Sequence, residues 1–167
     1  MQKKPPFLLV VVALAGVASA QTRLNPFRAE LGLYVPTFSQ GSNNLGVGVG
    51  VGYSFFNRKG LDVAAVARGD FFHTSQDGFG GDVSLGTYGV DVRYRFKNQP
   101  FFVGGGLAAA QAHIEIDGGT GDTTKLGYSA EAGYYFSRLL YGVVRYQATT
   151  DDIAAYRGIT VGVGYRF

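Results

Sequence analysis

Gly158-Ile-Thr-Val-Gly-Val-Gly-Tyr-Arg-Phe167 alternates large apolar side chains with small or polar ones and stops on an aromatic. Side chains of a strand point alternately to its two faces. Ile159, Val161, Val163, Tyr165 and Phe167 therefore share one face, and Thr160, Gly162, Gly164 and Arg166 share the other. One such strand would also suit the half-buried sheet of a soluble domain, so repetition along the chain decides its meaning.

The repetition is there, in eight alternating segments. The first, 29–38, sets Ala29, Leu31, Leu33 and Val35 against Glu30, Gly32 and Tyr34. The second has the clearest alternation, with Leu45, Val47, Val49, Val51, Tyr53 and Phe55 opposite Gly46, Gly48, Gly50, Gly52 and Ser54. In the third, Leu61, Val63, Ala65 and Ala67 oppose Asp62, Arg68 and Asp70, with Val66 and Phe72 blurring the polar face. The fourth sets Tyr88, Val90, Val92, Tyr94 and Phe96 against Asp91, Arg93 and Arg95; its earlier Val83 and Leu85 fall out of phase, which predicts a bulge or an emergence from the membrane. Phe101, Val103, Leu107 and Ala109 oppose Phe102, Gly104, Gly106, Ala108 and Ala110 in the fifth, with a change of phase near Gln111. The sixth places Leu126, Tyr128, Ala130, Ala132, Tyr134 and Phe136 against Gly127, Ser129, Glu131, Gly133 and Tyr135. A weaker seventh, 140–148, opposes Gly142, Val144 and Tyr146 to Arg145 and Gln147, and the terminal stretch is the eighth.

Ahead of these lie Lys3 and Lys4, an apolar run over 7–17 and Ala18-Ser19-Ala20, the pattern of a secretory leader cut after Ala20. Residues 1–20 are thus expected to be removed, leaving 21–167 as one domain. Of 15 basic residues the leader takes two, which brings the rest close to balance with 12 acidic ones. Lys and Arg are dispersed among the acids instead of gathered in a stripe, which disfavours nucleic acid. With Cys 0 the exported chain has no disulfide and no thiolate metal site.

A soluble ligand-carrying barrel would share the period but turn its charged face to water. Here the apolar face is almost free of charge, the opposite face is rich in Gly, and aromatics gather at one set of turns. Tyr53, Phe55, Tyr94, Phe96, Phe101, Tyr134, Phe136, Tyr165 and Phe167 form that group, the arrangement of an interfacial girdle at the lipid headgroups. The expected fold is all-β, an eight-stranded antiparallel up-and-down transmembrane β-barrel, closed because an unpaired backbone group in lipid costs several kcal/mol.

On this alternation and girdle the chain resembles the small eight-stranded outer-membrane barrels, the OmpA transmembrane domain and OmpX among them. The resemblance implies tight periplasmic turns at 57–60, 97–100 and 137–139 and outer loops at 39–44, 74–81, 117–123 and 150–157. It also implies contact with outer-membrane lipid, handling by the outer-membrane barrel assembly machinery through the strand ending in Phe167, and a monomer. With no peptidoglycan-binding domain after Phe167, the cell-wall tether of full-length OmpA-type proteins is not expected.

By phase, Glu30, Asp62, Asp70, Asp91 and Glu131 point inward with Arg68, Arg93, Arg95, Arg145 and Arg166. Buried charges must pair, so an ion-pair network plugging the lumen is expected, with Arg93, Arg145 and Glu131 near its centre. The inward glycines would either leave room for water or a small ligand, or let Arg and Tyr side chains from facing strands fit. His73 and His113 are candidate general bases, with Asp70, Asp77 and Glu115 near in sequence and Ser75 or Ser129 as a nucleophile, yet nothing assembles them into a triad. The run 117–122 is acidic and Gly-rich but lacks EF-hand spacing, as does the Asp151-Asp152 pair. No catalytic residue, metal or cofactor is assigned. The reading is a structural or surface-displaying barrel, with a narrow gated ion channel as the alternative and an outer-leaflet lipid-modifying enzyme behind it.

Overall fold

In the computed structural model the described residues are 26–37, 45–76, 79–116, 119–150 and 157–167. They form eight strands: β1 (Phe27–Pro36), β2 (Gly46–Arg58), β3 (Leu61–Gln76), β4 (Phe79–Arg95), β5 (Phe101–Ile116), β6 (Gly119–Tyr135), β7 (Leu140–Thr149) and β8 (Gly158–Arg166). Each pairs antiparallel with its sequence neighbours, and β8 pairs with β1 to close the barrel. Closure runs from Arg28↔Arg166 to Pro36↔Gly158, so every strand finds partners on both sides.

The apolar face of each segment lies outside. Leu31, Val47, Val90, Leu107, Leu126, Val144 and Val161 are all exposed, in a belt that water would penalise and lipid accepts. On β6 the outward row from Leu126 to Phe136 rises about 3.3 Å per residue, which at a tilt of about 40° covers roughly 25 Å, the height of an outer-membrane apolar band. At its lower edge the rings pair edge to face or tilted: Phe27 with Tyr53, Tyr94 with Phe96, Phe101 with Tyr134, and Tyr165 with Phe167, at centroid distances of 5.0–5.3 Å. Tight turns join the strands at this end, using positive φ at Lys59, Gly60 and Asn98. A register shift between Ser54 and Phe56 leaves both Phe55 and Phe56 facing outward.

Strand lengths are unequal. β3–β6 have 16 or 17 residues, whereas β1, β7 and β8 have 9 or 10. The two central hairpins therefore rise beyond the belt as a four-stranded wall, zipped to Gln76↔Phe79 and Ile116↔Gly119. Two expectations are corrected here: 74–81 and 117–123 are continuations of paired strands and not loops, except for 77–78 and 117–118, outside the described residues. The loop 39–44 also falls outside them, and of 150–157 only Thr150 and Arg157 are described.

Of the two readings of Val83 and Leu85, a bulge or an emergence from the membrane, the wall fits the emergence. β4 keeps unbroken register through Val83 and Leu85, and β5 through Gln111, with no bulge in either. What inverts is the environment. Above the lipid belt the outer face meets water, and Asp82, Gln111, His113, Glu115 and Asp122 occupy it exposed. The inner face there becomes a small apolar core of Tyr34, Phe72, Val83, Leu85, Ala110 and Ala112 that caps the lumen. Val66 and Phe72, which blurred the polar face, are inward and buried.

Candidate functional site in the barrel lumen

Alternate residues of every strand enter the lumen, and the barrel is narrow enough for their side chains to meet across it. Arg93 on β4 donates from Nη2 to Glu30 on β1 at 2.5 Å and to Glu131 on β6 at 3.1 Å, with Nε bonded to the same Glu131. Arg145 on β7 bridges the same two acids, at 2.5 Å to Glu30 and 2.8 Å to Glu131. Tyr141 completes the centre, donating to Glu30 at 2.8 Å and accepting from Arg93 at 3.1 Å. A second node forms around Asp91, bonded to Arg28 at 3.0 Å and to Arg68. The Asp91 and Glu131 carboxylates are almost fully removed from solvent, so these bonds replace the hydration the acids lose on burial.

Of the inward residues read from the sequence, Glu30, Arg68, Asp91, Arg93, Glu131 and Arg145 come together in these two nodes. Asp62 lies opposite Arg93 in register, but Arg93 turns away to its acids and Asp62 is left to Arg166 at 3.4 Å and Arg28 at 3.8 Å. Asp70 accepts from Gln147 at 2.8 Å. Arg95 stands apart from the ion pairs: at the last residue of β4 it lies 4.8 Å over the Tyr135 ring. The segment read from residue 29 leaves out Arg28, although Phe27 and Arg28 already keep its alternation. Phase counting backward from Glu30 would have found it. With Arg28 included and Arg95 apart, the lumen arginines Arg28, Arg68, Arg93, Arg145 and Arg166 match in number the acids Glu30, Asp62, Asp70, Asp91 and Glu131.

The glycines explain how large groups fit. Gly104 lies between Arg93 and Glu131 in register, so the two side chains meet over a position with no Cβ. A Cβ at Gly52 would sit 2.7 Å from Arg28 Nε, and one at Gly164 would sit 2.2 Å from the Tyr141 ring. Beside the two nodes lie voids of about 10 Å³ each, room for one water apiece. Of the two roles open to the glycines, accommodation of neighbouring side chains is the one the packing adopts. Gly164→Val is expected to destabilise the barrel by about 1–3 kcal/mol through overpacking. Gly121→Ala, whose Cβ meets nothing within 4 Å, should stay within about 0.5 kcal/mol of the parent in urea unfolding.

The candidate catalytic residues lie on opposite sides of the sheet. His73 and His113 are exposed on the outer face of the wall, each paired across strands with an aspartate, Asp82 at 2.8 Å and Asp122 at 2.5 Å. Asp70 is buried within the lumen, and Ser129 alternates with the outward Tyr128 and Ala130. Asp77, Asp117, Asp151 and Asp152 lie outside the described residues, while Asp122 belongs to β6. The hydrogen bond to Asp122, reinforced by the charges of Asp122 and Glu115, raises the His113 imidazolium above its ordinary value. A raised folded-state value means the charged pair is complete below the ordinary histidine range and is lost as pH rises through the raised one. An NMR titration of His113 should accordingly show a midpoint above 6.5 that falls back in Asp122→Asn.

The family model of the outer membrane protein beta-barrel domain matches residues 7–167. No curated protein matches the chain. Among solved structures, Ail, the attachment invasion locus protein of Yersinia pestis, in complex with the heparin analogue sucrose octasulfate, superposes with TM-score 0.59 at 16% identity, covering 84% of this chain and 97% of its own. Neisserial surface protein A gives TM-score 0.58 at 18% identity, covering 84% and 96%. The N-terminal β-barrel domain of Pseudomonas aeruginosa OprF gives TM-score 0.50 at 17% identity, covering 87% and 100%. At these identities the likeness is one of fold.

Proposed function

The chain belongs to the outer membrane protein beta-barrel domain family, and from that premise we propose that it is a structural or surface-displaying barrel without catalytic activity. In this reading a leader over 1–20 directs export, the tight turns face the periplasm, and the four-stranded wall stands outside the cell. The barrel is handled as a monomer by the assembly machinery and touches outer-membrane lipid through its belt. The single observation that carries the proposal is the double closure of the lumen, by the Glu30–Arg93–Glu131–Arg145 node and by the apolar cap around Tyr34 and Leu85. A barrel so filled offers the cell its rigid wall and outer surface. Ail was crystallised with a polysulfated ligand; here a polyanion would meet Asp82, Glu115 and Asp122 on the wall's outer face, which favours neutral or cationic partners there.

Outer-membrane fractionation with a heat-modifiability gel tests the premise, and a soluble chain whose mobility is unchanged on boiling would count against it. For display, replacing the wall above Leu85 and Ala112 by short turns should abolish surface binding while the barrel still folds.

The channel reading draws support from Glu30, which lies within 3.9 Å of Arg28, Arg68, Arg93 and Arg145, so that pairs could exchange and open a narrow path. Planar-bilayer recordings separate the two. The structural reading expects silent bilayers for the parent, whereas steady single-channel steps altered in Glu131→Ala would favour the gate.

A further inference from the structure

At the turn end the lumen opens into a cavity of about 190 Å³ whose wall includes Asp62, Arg95, Tyr135, Arg138 and Arg166. Its charge is lopsided. Arg93, also on the wall, is consumed by Glu30 and Glu131, and Asp62 is shared between Arg28 and Arg166. Among the described residues, neither Arg95 nor Arg138 comes within salt-bridge distance of a carboxylate. Arg166 is mostly buried, and its Nε has no hydrogen-bond partner, as is also true of Asp62 Oδ1 beside it. Arg95 also borders an adjoining cleft at this end, lined by Lys59 and Lys97. Cations of one sign around a low-dielectric concavity focus the field and concentrate counter-ions, and planar guanidinium forks match the oxygens of a phosphate.

We propose that this mouth is a binding site for a phosphate group, held by Arg95, Arg138 and Arg166, with the Tyr135 ring holding Arg95 in place. The cation–π contact at 4.8 Å orients the Arg95 guanidinium without neutralising it, which leaves its donors available. Arg138 sits in the 136–139 turn and reaches the same cavity from the opposite strand pair. Two sources share this chemistry: free phosphate, and the headgroup of an anionic phospholipid bent over the rim. Phosphate binding at this mouth is independent of whether the lumen conducts or the wall binds a partner.

The test uses protein folded in maltoside micelles, which carry no phosphate, with the arginine Nε–Hε resonances as readout. Inorganic phosphate should shift Arg95, Arg138 and Arg166 saturably, while sodium chloride at equal ionic strength should not. Arg138→Gln should bind phosphate roughly tenfold or more weakly, the loss of a charge-assisted hydrogen bond. Lys97→Gln, in the adjoining cleft outside the cavity, should bind like the parent. Equal shifts with chloride, or equal weakening in the two variants, would overturn the proposal by reducing it to diffuse screening. In nanodiscs of phosphatidylglycerol the resonances should already stand at their shifted positions if the headgroup is the ligand. If free phosphate is the ligand, they should move only when it is added.

Discussion

Glu131→Ala should destabilise the barrel by about 3–5 kcal/mol, because it strands Arg93 and Arg145 in a buried site with one remaining shared acid. Glu131 accepts three bonds from these arginines in addition to the Arg93 Nε contact. The effect follows from the arginines left behind more than from the carboxylate removed. Adding Arg93→Met to the variant should therefore recover part of the loss, since apolar groups of similar volume often replace buried ion pairs without penalty. Urea unfolding in lipid vesicles, followed by the heat-modifiable shift, measures both. Glu115→Ala, on the exposed outer face of the wall, is the control and should change stability by about 0.5 kcal/mol at most. A Glu131 effect no larger than this control would mean that the lumen acids contribute little to stability.

Leu31→Arg should cost about 2–4 kcal/mol, the expected penalty for a cation at the middle of the lipid-facing belt. Leu31 is 56% exposed, halfway along β1, and flanked by Val49 and Val163 in register. In a water-soluble barrel the same change would be nearly neutral, so this variant tests the identity of the solvent around the wall. Gln111→Arg, on the part of β5 that rises into water, should be almost silent in the same vesicles. Equal effects at the two positions would remove the distinction between belt and wall.

Much of the architecture was legible because lipid imposes a local rule. Strands that expose one face to hydrocarbon must alternate, so β2, β6 and β8 could be marked from their residues, as could the tight turns after Phe56, Phe96 and Phe136. The wall was less legible for the same reason. Above the belt the solvent changes from lipid to water, and the pattern inverts while the strand continues. Val83, Leu85 and Gln111 therefore looked like irregularities of phase, although the backbone register runs unbroken through them. The real bulge, between Ser54 and Phe56, lies in the most regular-looking segment, where two adjacent aromatics both suit the lipid interface.

The sequence by itself determined the period, the number of strands, which face meets lipid and most of the residues that enter the lumen, because each depends on neighbours two positions apart. Only the tertiary structure decided which charges meet. Arg93 passes over its register partner Asp62 to reach Glu30 and Glu131, which are far from it in the chain, and Arg28 joins Asp91 across the barrel. Those pairings depend on strand stagger, on the positions of Gly52, Gly104 and Gly164, and on the width of the closed barrel. These properties arise only when all eight strands have closed into one sheet.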